Sequence, residues 1–519
     1  MGHPGSRGSG AVDPLFELTL DLKPQGSREA SRTLHHELRA AILDGRLAAG
    51  AKLPATRKSA AFFGVSRNTA AEVYERLVTE GHAVSRRGAG TYVAEKVPQP
   101  SARRIAPLSG VQRLNEFWLR ADVTAAMGFW QDSRETSPPR KGALVDFRPA
   151  MVDSRLFPLD VFRRLSARQL RGLERKPASY KSPQGNQGNY HLRKAIIKHI
   201  ATTRAVACQA EDILVTSGAQ QAFDLLARAL VTPHQTTVAL EDPGYPPMRV
   251  AFAAAGAKLV PVGIDEEGLI IEQLPTDVGV ICVTPSHQFP LGVTMSLRRR
   301  QALIEFARER GAIIVEDDYD GEFRYEGSPL PALRTAQAAD VVFYVGTFSK
   351  CMLSALRLGF IVAPGWAMST LTAAKNCLDW HCPTPIQTVV AGFITEGHLT
   401  RHVRKMRDIY KQRRELLLEL LQDKLHEWLH PIPSFYGMHI AALADPGVDL
   451  EAVAWALLQK QVKIHTLGRY FLGPQTQMGL VFGYGTVDLP EIRRGVSLLR
   501  KVLQDDTLCN RVKSHREGR

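Results

Sequence analysis

The most informative stretch of this sequence runs Gly346-Thr347-Phe348-Ser349-Lys350-Cys351-Met352-Leu353-Ser354-Ala355-Leu356-Arg357. It surrounds a single lysine with hydroxyl-bearing residues and places an arginine seven positions after that lysine. Apolar runs at 341–345 and 358–362 predict that one buried strand enters the stretch and another leaves it. A lysine amine can condense with an aldehyde, while hydroxyl groups and a guanidinium hold a phosphate dianion. The stretch therefore indicates a binding site for an aldehyde that carries a phosphate.

A second stretch, Ile313-Ile314-Val315-Glu316-Asp317-Asp318-Tyr319, lies upstream and supplies acidic side chains. Its apolar residues predict a strand that runs into two neighbouring aspartates. A carboxylate that faces a pyridine nitrogen keeps this nitrogen protonated, and the protonated ring then withdraws electrons. Lysine, phosphate-holding groups and carboxylate are together what a pyridoxal 5'-phosphate site requires. The spacing alone leaves both Asp317 and Asp318 as candidates for the ring nitrogen.

The two stretches resemble those of fold-type I aminotransferases, and the resemblance covers the chain from roughly Val145 to Leu503. It implies that Lys350 forms a Schiff base with pyridoxal 5'-phosphate, and that Thr347, Ser349 and Arg357 hold the phosphate. From the residues alone, Arg357 could instead belong to a structural ion pair; the resemblance favours the phosphate. The acidic pattern of the family favours Asp317 over its neighbour for the ring nitrogen. It also implies that Tyr319 bonds the phenolate oxygen of the ring.

Apolar strands and amphipathic helices alternate after Val145, which predicts a wound, mostly parallel α/β sheet. Cofactors bind beyond the carboxyl ends of the strands in such sheets. Asp317 and Lys350 are both predicted to lie just past strand ends. The predicted strands are Ile213–Thr216, Thr237–Leu240, Val278–Val283, Ala312–Glu316, Val341–Val345 and Gly359–Val362, with helices such as Gln220–Leu230 and Leu297–Arg310 between them.

One helix start is a further candidate for the phosphate. Thr216-Ser217-Gly218-Ala219-Gln220-Gln221 follows a strand and opens a helix. The backbone N–H groups of Gly218, Ala219 and Gln220 would suit an anion there, although an ordinary capped helix gives the same pattern.

Two tyrosines complete the cofactor site that the resemblance implies. Tyr245, in Glu241-Asp242-Pro243-Gly244-Tyr245, resembles the aromatic residue that stacks on the cofactor ring. Tyr180, ahead of Gly185 and Leu192-Arg193, resembles the tyrosine that reaches the phosphate in the neighbouring subunit. We therefore expect a head-to-tail homodimer with shared sites.

The segment Thr284-Pro285-Ser286-His287-Gln288-Phe289-Pro290-Leu291-Gly292 departs from the aminotransferase pattern. Aminotransferases usually have an asparagine before the proline, and this asparagine bonds the cofactor phenolate. Phe289 stands there instead, so His287 or Gln288 would have to replace the lost hydrogen bond. The Pro-Ser-His-Gln pattern is typical of MocR-type regulators, and efficient transamination is not implied.

Upstream of this region, a smaller helical pattern is typical of a helix-turn-helix. Apolar positions predict a helix over Ser31–Leu43, then a short helix that ends at Phe63 and a third that runs to about Glu80. Ser66 can cap the third helix. The first turn of that helix would meet bases and phosphates. We expect DNA contacts from Arg57, Ser66, Arg67, Asn68 and Thr69, and from Arg86, Arg87 and Gly90 in a Gly-rich wing.

Three elements in order and spacing resemble the GntR winged helix: Leu53-Pro54-Ala55-Thr56-Arg57, Gly64-Val65-Ser66-Arg67-Asn68-Thr69 and Gly88-Ala89-Gly90-Thr91-Tyr92-Val93. The alternative is a helical appendage that never touches DNA. Ala55 stands where the family usually has serine, and Lys58-Ser59 interrupts an expected apolar position. The whole chain thus resembles a MocR/GabR-type regulator, in which a GntR winged helix is fused to an aminotransferase-like domain.

Length and composition fit several domains and exclude some classes of protein. A chain of 519 residues is too long for one core, and no charge-free apolar run is long enough to span a bilayer. The six cysteines are scattered without a Cys-x-x-Cys pair, so we expect no disulfide, no metal site and a reducing bacterial cytoplasm. A net charge of +14 permits nucleic-acid binding. It is spread along the chain, since the first 96 residues carry 14 Lys and Arg against 10 Asp and Glu.

The expected domain limits follow from these patterns. Lys96–Gly142 is rich in Pro, Ser, Arg and Ala, which is typical of a linker, and Leu114–Met127 could form a short helix within it. Phe117 and Trp118 on this helix would dock onto the large domain. The expected parts are a tail (1–27), a winged helix (28–95), the linker (96–144), a large α/β domain (145–392), a small α/β domain (393–505) that a portion near 145–180 joins, and a basic tail (506–519).

The last third of the chain offers candidates for ligand recognition. His398–Leu425 predicts one long helix, and alternating strands and helices follow it: Met438–Ala442, Leu450–Gln459, Val462–Thr466, Met478–Phe482 and Leu489–Val502. Arg469 falls near the position where family members bind an effector carboxylate, for which a bidentate arginine is suited. A solvent-exposed loop arginine is the alternative, and Arg249 is a second candidate.

The sequence therefore predicts a transcriptional regulator that binds operator DNA through the winged helix and pyridoxal 5'-phosphate through Lys350. An amino acid or amine, or the cofactor itself, would be the effector. Displacement of Lys350 by the effector would shift the population of DNA-binding states. The alternatives are a working aminotransferase that carries a DNA module, and a regulator that has lost the cofactor. The sequence leaves open whether the domain retains transaminase turnover.

Overall fold

The computed structural model describes residues 27–95, 115–127, 144–175, 185–327 and 330–505. The chain divides into two compact units, Met1–Leu114 and Asn115–Arg519. None of the helices in the described ranges is both long and apolar enough to cross a membrane.

The first unit is a winged helix-turn-helix. The helices are α1 (Ser27–Leu43), α2 (Thr56–Phe63) and α3 (Arg67–Thr79), and the wing strands are β1 (Ala83–Arg86) and β2 (Gly90–Val93). Gly64 ends α2 at φ 64°, a conformation that glycine adopts without strain. The two wing strands pair antiparallel, and Lys52 bridges to Tyr92 at their edge. One apolar core joins all these elements through Leu38, Phe63, Val73, Leu77 and Val93.

The departure from the family pattern at Ser59 is explained by a buried hydrogen-bond chain. Ser59 faces the core and lies 2.6 Å from the Tyr74 hydroxyl, which donates to the Pro54 carbonyl at 3.0 Å. Burying a hydroxyl group costs little free energy of folding when the group is hydrogen-bonded in this way. Ala55, in contrast, begins α2 without a side-chain cap.

The second unit contains the remaining elements. Its helices are α4 (Ala121–Met127), α5 (Leu159–Arg175), α6 (Tyr190–Arg204), α7 (Ala219–Leu230), α8 (Pro246–Ala254), α9 (Leu297–Arg310), α10 (Gly365–Leu378), α11 (Thr384–Thr395), α12 (His398–Leu425), α13 (Leu450–Gln459) and α14 (Leu489–Leu503). Its strands are β3 (Val145–Asp146), β4 (Ile213–Thr216), β5 (Thr237–Asp242), β6 (Lys258–Asp265), β7 (Gly268–Leu269), β8 (Val278–Val283), β9 (Ile313–Asp318), β10 (Val342–Thr347), β11 (Gly359–Val362), β12 (Leu429–Pro431), β13 (His439–Ala444), β14 (Val462–Lys463), β15 (His465–Thr466) and β16 (Gly479–Gly483).

An eight-stranded sheet in the order β4-β11-β10-β9-β8-β5-β6-β7 organises this unit. Neighbours from β10 to β6 are parallel, whereas β11 runs antiparallel to both of its neighbours and β7 runs antiparallel to β6. The central strands are buried because helices cover them. The carboxyl ends of β9 and β10 meet at one edge of the sheet, and this edge carries the site.

A smaller antiparallel sheet, β12-β13-β16-β15, forms the C-terminal part of the unit. The predicted strand Val462–Thr466 is divided between two sheets in the structure. β14 pairs with β3 in parallel, while β15 pairs with β16. The strand therefore breaks at Ile464, and the start of the unit is joined to its C-terminal part.

A short segment of the predicted linker packs against the second unit. Glu116–Leu119 forms a 3₁₀ turn and is followed by α4, so the predicted helix over 114–127 is broken in two. Val123 and Ala126 are buried against Val250 of α8, and Phe117 packs at the edge of this cluster. Trp118, which we expected to dock, is 51% exposed.

Candidate functional site

A cavity of about 540 Å³ opens at the carboxyl ends of β9 and β10. Most of the predicted cofactor residues line it, including Asp317, Tyr319 and Lys350. The complete lining in the described part of the chain is Ala126, Arg148, Ala150, Met151, Ala219, Gln220, Tyr245, Pro247, Phe289, Asp317, Tyr319, Thr347, Ser349, Lys350, Ser354 and Arg357. A site of this size and polarity can hold a small phosphorylated ring and a second small molecule.

Lys350 follows the end of β10 and points into the cavity. Its Nζ donates to the Ala150 carbonyl at 2.6 Å. Burial lowers the pKa of Lys350 from its usual 10.5 to about 8, although the carboxylates of Asp320 and Asp317 oppose the shift. About a tenth of this amine is therefore neutral at pH 7, far more than for an ordinary lysine, and the neutral form is the nucleophile.

The two neighbouring aspartates point in opposite directions, because both lie within β9 and side chains alternate along a strand. Asp317 lines the cavity, and its Oδ1 has no hydrogen-bond partner among the described residues. Asp318 faces away and accepts from Arg204 Nε at 2.5 Å and from the Tyr344 hydroxyl at 2.6 Å. β9 continues two residues beyond its predicted end at Glu316, so Asp317 lies inside the strand rather than past it.

The unpartnered oxygen of Asp317 fits a ring nitrogen that carries a proton. Burial, reinforced by the neighbouring carboxylates, raises the pKa of Asp317 well above its usual range. Such a carboxyl group is costly to ionise alone and would be stabilised by a protonated nitrogen facing it. The structure thus contains an acidic group in need of the partner that pyridoxal phosphate offers.

Tyr319 connects the cavity to a buried polar cluster of His287, Asp320 and His439. The Tyr319 hydroxyl lies 2.9 Å from His287 Nδ1 and also donates to the His287 carbonyl. His287 Nδ1 lies 2.9 Å from Asp320 Oδ2, and the rings of His287 and His439 are 4.5 Å apart. Burial lowers the pKa of both histidines to about 3 and raises that of Asp320 to about 8. The cluster is therefore largely uncharged and holds Tyr319 in place through hydrogen bonds.

The segment that lacks the asparagine contributes Phe289 to the cavity wall. His287 lies behind Tyr319, so it can influence a ligand only through the tyrosine hydroxyl. Gln288 is buried, and its Nε2 donates to the carbonyls of Pro243 and Phe289 at 2.8 Å each. We expected His287 or Gln288 to replace the hydrogen bond of the missing asparagine. In the described part of the chain, neither side chain lines the cavity.

The predicted phosphate residues converge at the N-terminus of α7. Thr347 and Ser349 bond each other through their hydroxyls at 3.0 Å, and Arg357 Nη2 donates to the Ser217 carbonyl at 3.3 Å. Ala219 and Gln220 line the cavity in the first turn of α7. Gly218 caps α7 at φ 82°, and a Cβ there would lie 2.8 Å from Arg357 Nη2.

This end of the cavity suits a phosphate for three reasons. The first turn of a helix presents unbonded N–H groups, the guanidinium supplies positive charge, and the hydroxyls can donate. Glycine at 218 lets the guanidinium approach the helix end. Ser354 also lines the cavity here, and the sequence analysis did not select it although it lies in the first stretch quoted.

Tyr245 is the N-cap residue of α8 and forms part of the cavity wall. Its ring packs edge-on against Phe289 and Phe223, with ring centroids 5.6 and 6.4 Å apart. These contacts fix the orientation of an aromatic face that a flat ring could stack upon.

The two predicted effector arginines lie elsewhere among the described residues. Arg469 is on the turn Leu467–Tyr470 and is absent from the cavity wall. Arg249, on α8, donates through Nη1 to the Phe471 carbonyl at 2.9 Å. The arginine that does line the cavity with Arg357 is Arg148, which the sequence analysis missed. It follows β3 and precedes the segment that bonds Lys350.

The predicted DNA-binding residues form a largely exposed set in the first unit. Arg57, Arg67, Asn68, Arg86, Arg87 and Gly90 are all exposed. Ser66 caps α3 by accepting from the Thr69 backbone N–H at 3.0 Å, as predicted. Thr69 itself is only 8% exposed, and its hydroxyl lies 2.8 Å from that of Ser66. Arg86 lies over the Tyr92 ring at 4.8 Å and contacts Glu95.

Tyr180, predicted to reach the phosphate of a neighbouring subunit, lies outside the described residues. So do the tails 1–26 and 506–519 and most of the predicted linker.

Each of the two units matches a known protein family. Residues 30–93 match the family "Bacterial regulatory proteins, gntR family", and residues 160–476 match "Aminotransferase class I and II". The chain is 34% identical over 472 residues to the probable rhizopine catabolism regulatory protein MocR of Rhizobium meliloti, covering 90% of this chain and 92% of that protein. It is 30% identical over 491 residues to the HTH-type pyridoxine biosynthesis transcriptional regulator PdxR of Corynebacterium glutamicum, covering 93% and 100%.

A solved structure gives the same result for the second unit. The α-aminoadipate aminotransferase LysN of Thermus thermophilus, in complex with N-(5'-phosphopyridoxyl)-L-leucine, aligns with a TM-score of 0.68. The two chains are 25% identical, and the alignment covers 76% of this chain and 98% of LysN.

Fold and site together define a DNA-binding protein of the GntR type with a class I and II aminotransferase domain attached. The agreement with MocR and PdxR extends through both units rather than one. The chain therefore belongs to the MocR-type transcriptional regulators of the GntR family.

Proposed function

We propose that this regulator holds pyridoxal 5'-phosphate in the cavity and senses a small amino compound there. The observation that carries the proposal is a buried Asp317 oxygen that has no hydrogen-bond partner in the described part of the chain, in the same cavity as a lysine of lowered pKa. The aldehyde of the cofactor forms a reversible carbon–nitrogen double bond with an amine, and this chemistry lets one amine displace another. LysN, which has the same fold, is solved with a phosphopyridoxyl amino acid.

The residues of the chain divide the work of holding the cofactor. Lys350 supplies the amine. Asp317 faces the ring nitrogen and keeps its proton, and Tyr319, oriented by His287, donates to the phenolate oxygen. The groups that hold the phosphate are Thr347, Ser349, Arg357 and the N-terminal backbone of α7 from Gly218 to Gln220, with Tyr180 from the partner of a head-to-tail dimer.

The hydrophobic side of the cavity would orient the ring. Tyr245 presents a fixed aromatic face, and Phe289 closes the wall next to it. Phe289 cannot hydrogen-bond the phenolate oxygen, so we assign Tyr319, of the described cavity wall, as the donor to that oxygen. This arrangement favours binding over rapid turnover, because proton distribution around the ring is less strongly controlled.

We propose that operator DNA meets the following residues of α2, α3 and the wing: Arg57, Ser66, Arg67, Asn68, Thr69, Arg86, Arg87 and Gly90. Ser66 and Thr69 form the cap of α3, so they would act mainly by fixing the first turn that carries Arg67 and Asn68. Arg249 and Arg469 remain proposals for effector recognition. The proposed parts are residues 28–95 for DNA, 96–144 for the linker, and 145–392 and 393–505 for the large and small domains.

Operator binding with and without the cofactor tests the proposal. Selection from random duplexes first identifies the operator, and fluorescence anisotropy then measures affinity for wild type, Lys350→Ala and the exposed-surface control Lys411→Ala. We expect addition of pyridoxal phosphate and amines to change the operator affinity of wild type and of the control, but not of Lys350→Ala. Borohydride reduction should fix the cofactor on Lys350 in the first and last of these proteins only. Rapid conversion of amines to carbonyl products without operator binding would contradict the proposal.

A further inference from the structure

The buried polar cluster behind Tyr319 brings together His287, Asp320 and His439, each of which is at most 2% exposed. One ring nitrogen or carboxylate oxygen from each residue lies within 4.8 Å of those from the other two. Imidazole nitrogens and carboxylate oxygens are ligands of zinc and related divalent metal ions. The cluster thus has the composition of a metal site, which the sequence analysis did not expect because it considered the spacing of cysteines alone.

His439 presents a ring nitrogen that no protein group satisfies. Its Nε2 lies 3.0 Å from the Pro290 carbonyl oxygen. A carbonyl oxygen only accepts hydrogen bonds, so Nε2 carries the proton, and Nδ1 of the neutral ring carries a lone pair. Nδ1 is buried and has no hydrogen-bond partner among the residues that the structure describes. Such a lone pair calls for a donor or a cation.

His287 is oriented in a comparable way. Its Nδ1 lies 2.9 Å from Asp320 Oδ2, and an ionised carboxylate only accepts, so the proton is on Nδ1 and the lone pair is on Nε2. Nε2 is also buried, with no partner in the described ranges. A carboxylate that holds one nitrogen of a histidine while the other nitrogen binds a metal ion is a common arrangement of metal sites.

The backbone next to His287 leaves room beside the free nitrogen. A Cβ at Gly292 would lie 3.2 Å from His287 Nε2. Because glycine has no Cβ, no side chain of residue 292 covers this nitrogen.

Asp320 is a buried acid without a basic partner of permanent charge. Within the described ranges its salt-bridge partner is His287, and it makes no salt bridge with a lysine or an arginine. Buried charges are normally paired or bound to a metal ion. A cation in the cluster would therefore supply the positive charge that the Asp320 carboxylate lacks.

The cluster also joins two parts of the second unit. His439 lies on β13 of the smaller antiparallel sheet, whereas His287 and Asp320 follow β8 and β9 of the eight-stranded sheet. An ion bonded to both histidines would fix the smaller sheet against the strands that position Lys350.

We propose that the cluster binds one divalent metal ion of the zinc class through His287 Nε2 and His439 Nδ1, with the Asp320 carboxylate balancing its charge. The ion would have a structural role, since it lies behind Tyr319 rather than in the cavity. The inference does not depend on the cofactor, so its test measures metal binding directly.

The test uses the full chain after removal of metals with a chelator. Zinc is titrated into the protein in competition with a fluorescent chelator, and magnesium is the comparison ion. We expect about one tightly bound zinc ion per chain and no competition from magnesium, which prefers oxygen ligands. Asp320→Asn should weaken zinc binding by about 10- to 100-fold, the usual effect of losing a group that orients a ligand. His439→Gln removes a ligand and should weaken it by more than about 100-fold.

Two variants serve as controls. His402 on α12 is buried as well, at 5% exposed, but lies outside the cluster, so His402→Gln should bind zinc like wild type. His35 and His82 both contact Glu80 in the winged helix and offer a rival site nearer the surface. We expect His35→Gln to bind zinc like wild type too.

Two further measurements separate a ligand from a residue that only supports the fold. X-ray absorption of zinc-loaded wild type should show two imidazole ligands, and this result needs no variant. Zinc should raise the temperature of thermal unfolding of wild type and of His402→Gln, but not that of His439→Gln, because an ion stabilises only a native state that binds it.

Three results would overturn the inference. The first is wild type that takes up no zinc, and the second is bound zinc without imidazole ligands in the absorption spectrum. The third is loss of zinc binding in His35→Gln together with its retention in His439→Gln, which would assign the ion to the winged helix.

Discussion

Lys350 should react with pyridoxal phosphate at a lower pH than an ordinary lysine. Its pKa of about 8, lowered from 10.5 by burial, makes the neutral amine roughly 300-fold more abundant at pH 7 than for an exposed lysine. The rate of cofactor attachment to cofactor-free protein should rise with pH and level off above about 8. Stopped-flow absorbance at several pH values measures this rate. A rate that still climbs steeply above about pH 9.5 would show that the amine has its usual pKa.

Asp317 and Asp318 should give opposite results when each is replaced by asparagine. Asp317→Asn should weaken cofactor binding by about 10- to 100-fold, since a charge-assisted bond to the ring nitrogen is lost. It should leave the stability of cofactor-free protein unchanged or raised, because Asp317 Oδ1 has no partner among the described residues.

Asp318→Asn should instead destabilise the fold. Arg204 and Asp318 are both 4% exposed, and leaving the guanidinium without its carboxylate costs about 3–5 kcal/mol. Equilibrium unfolding in urea of the two cofactor-free variants compares them. Similar losses of stability in both would mean that the two aspartates share one structural role.

At the level of single residues, the sequence predicted most of the residues that line the cavity and missed Arg148 and Ala126. Lysine, aspartate and hydroxyl residues lie in patterned stretches next to strands, so local sequence identifies them. Arg148 and Ala126 join the cavity through packing of distant segments, β3 with β14 and α4 with α8. No spacing within their own stretches indicates either contact.

Among the secondary-structure elements, the long periodic ones were predicted best. The helix over His398–Leu425 and the strand over Val278–Val283 have the predicted bounds, because their apolar patterns continue along their whole length. The stretch Val462–Thr466 was wrong as a single strand. Its two halves pair with different strands, and that choice depends on tertiary contacts that a continuous apolar pattern does not contain.

The start of α2 offers a stabilising substitution. Ala55 is the N-cap of this helix, with φ and ψ of −57° and 143°, but its methyl group cannot bond the free N–H groups of the first turn. Ala55→Ser should therefore stabilise the winged helix by about 1 kcal/mol. The full chain is unfolded with a chemical denaturant while hydrogen exchange of the α2 backbone is monitored. This experiment measures the gain in stability of the winged helix. Ala55→Val should give none, and a serine variant no more stable than wild type would contradict the prediction.

For the whole molecule, an effector that changes operator binding must itself be bound more or less tightly when operator is present. Linkage requires that the factor by which an effector changes operator affinity equals the factor by which operator changes effector affinity. Two independent titrations, one with labelled operator and one with cofactor absorbance, should yield the same factor within error. Unequal factors would indicate that a further species, such as a different oligomer, takes part in one of the measurements.

The linker helix is where we expect this coupling to be most sensitive. Val123 of α4 is 2% exposed and packs with Val250, whereas Thr124 on the same helix is exposed. Val123→Asp would bury a charge, so α4 should leave α8 rather than accept that cost. We call the factor by which the effector changes operator affinity the coupling factor. We expect it to fall towards one in Val123→Asp, while the variant still takes up the cofactor and still binds operator. Thr124→Asp introduces the same charge on the exposed face and should keep the wild-type factor. If Val123→Asp also keeps it, the docked helix does not transmit the signal, and coupling must pass between the units by another route.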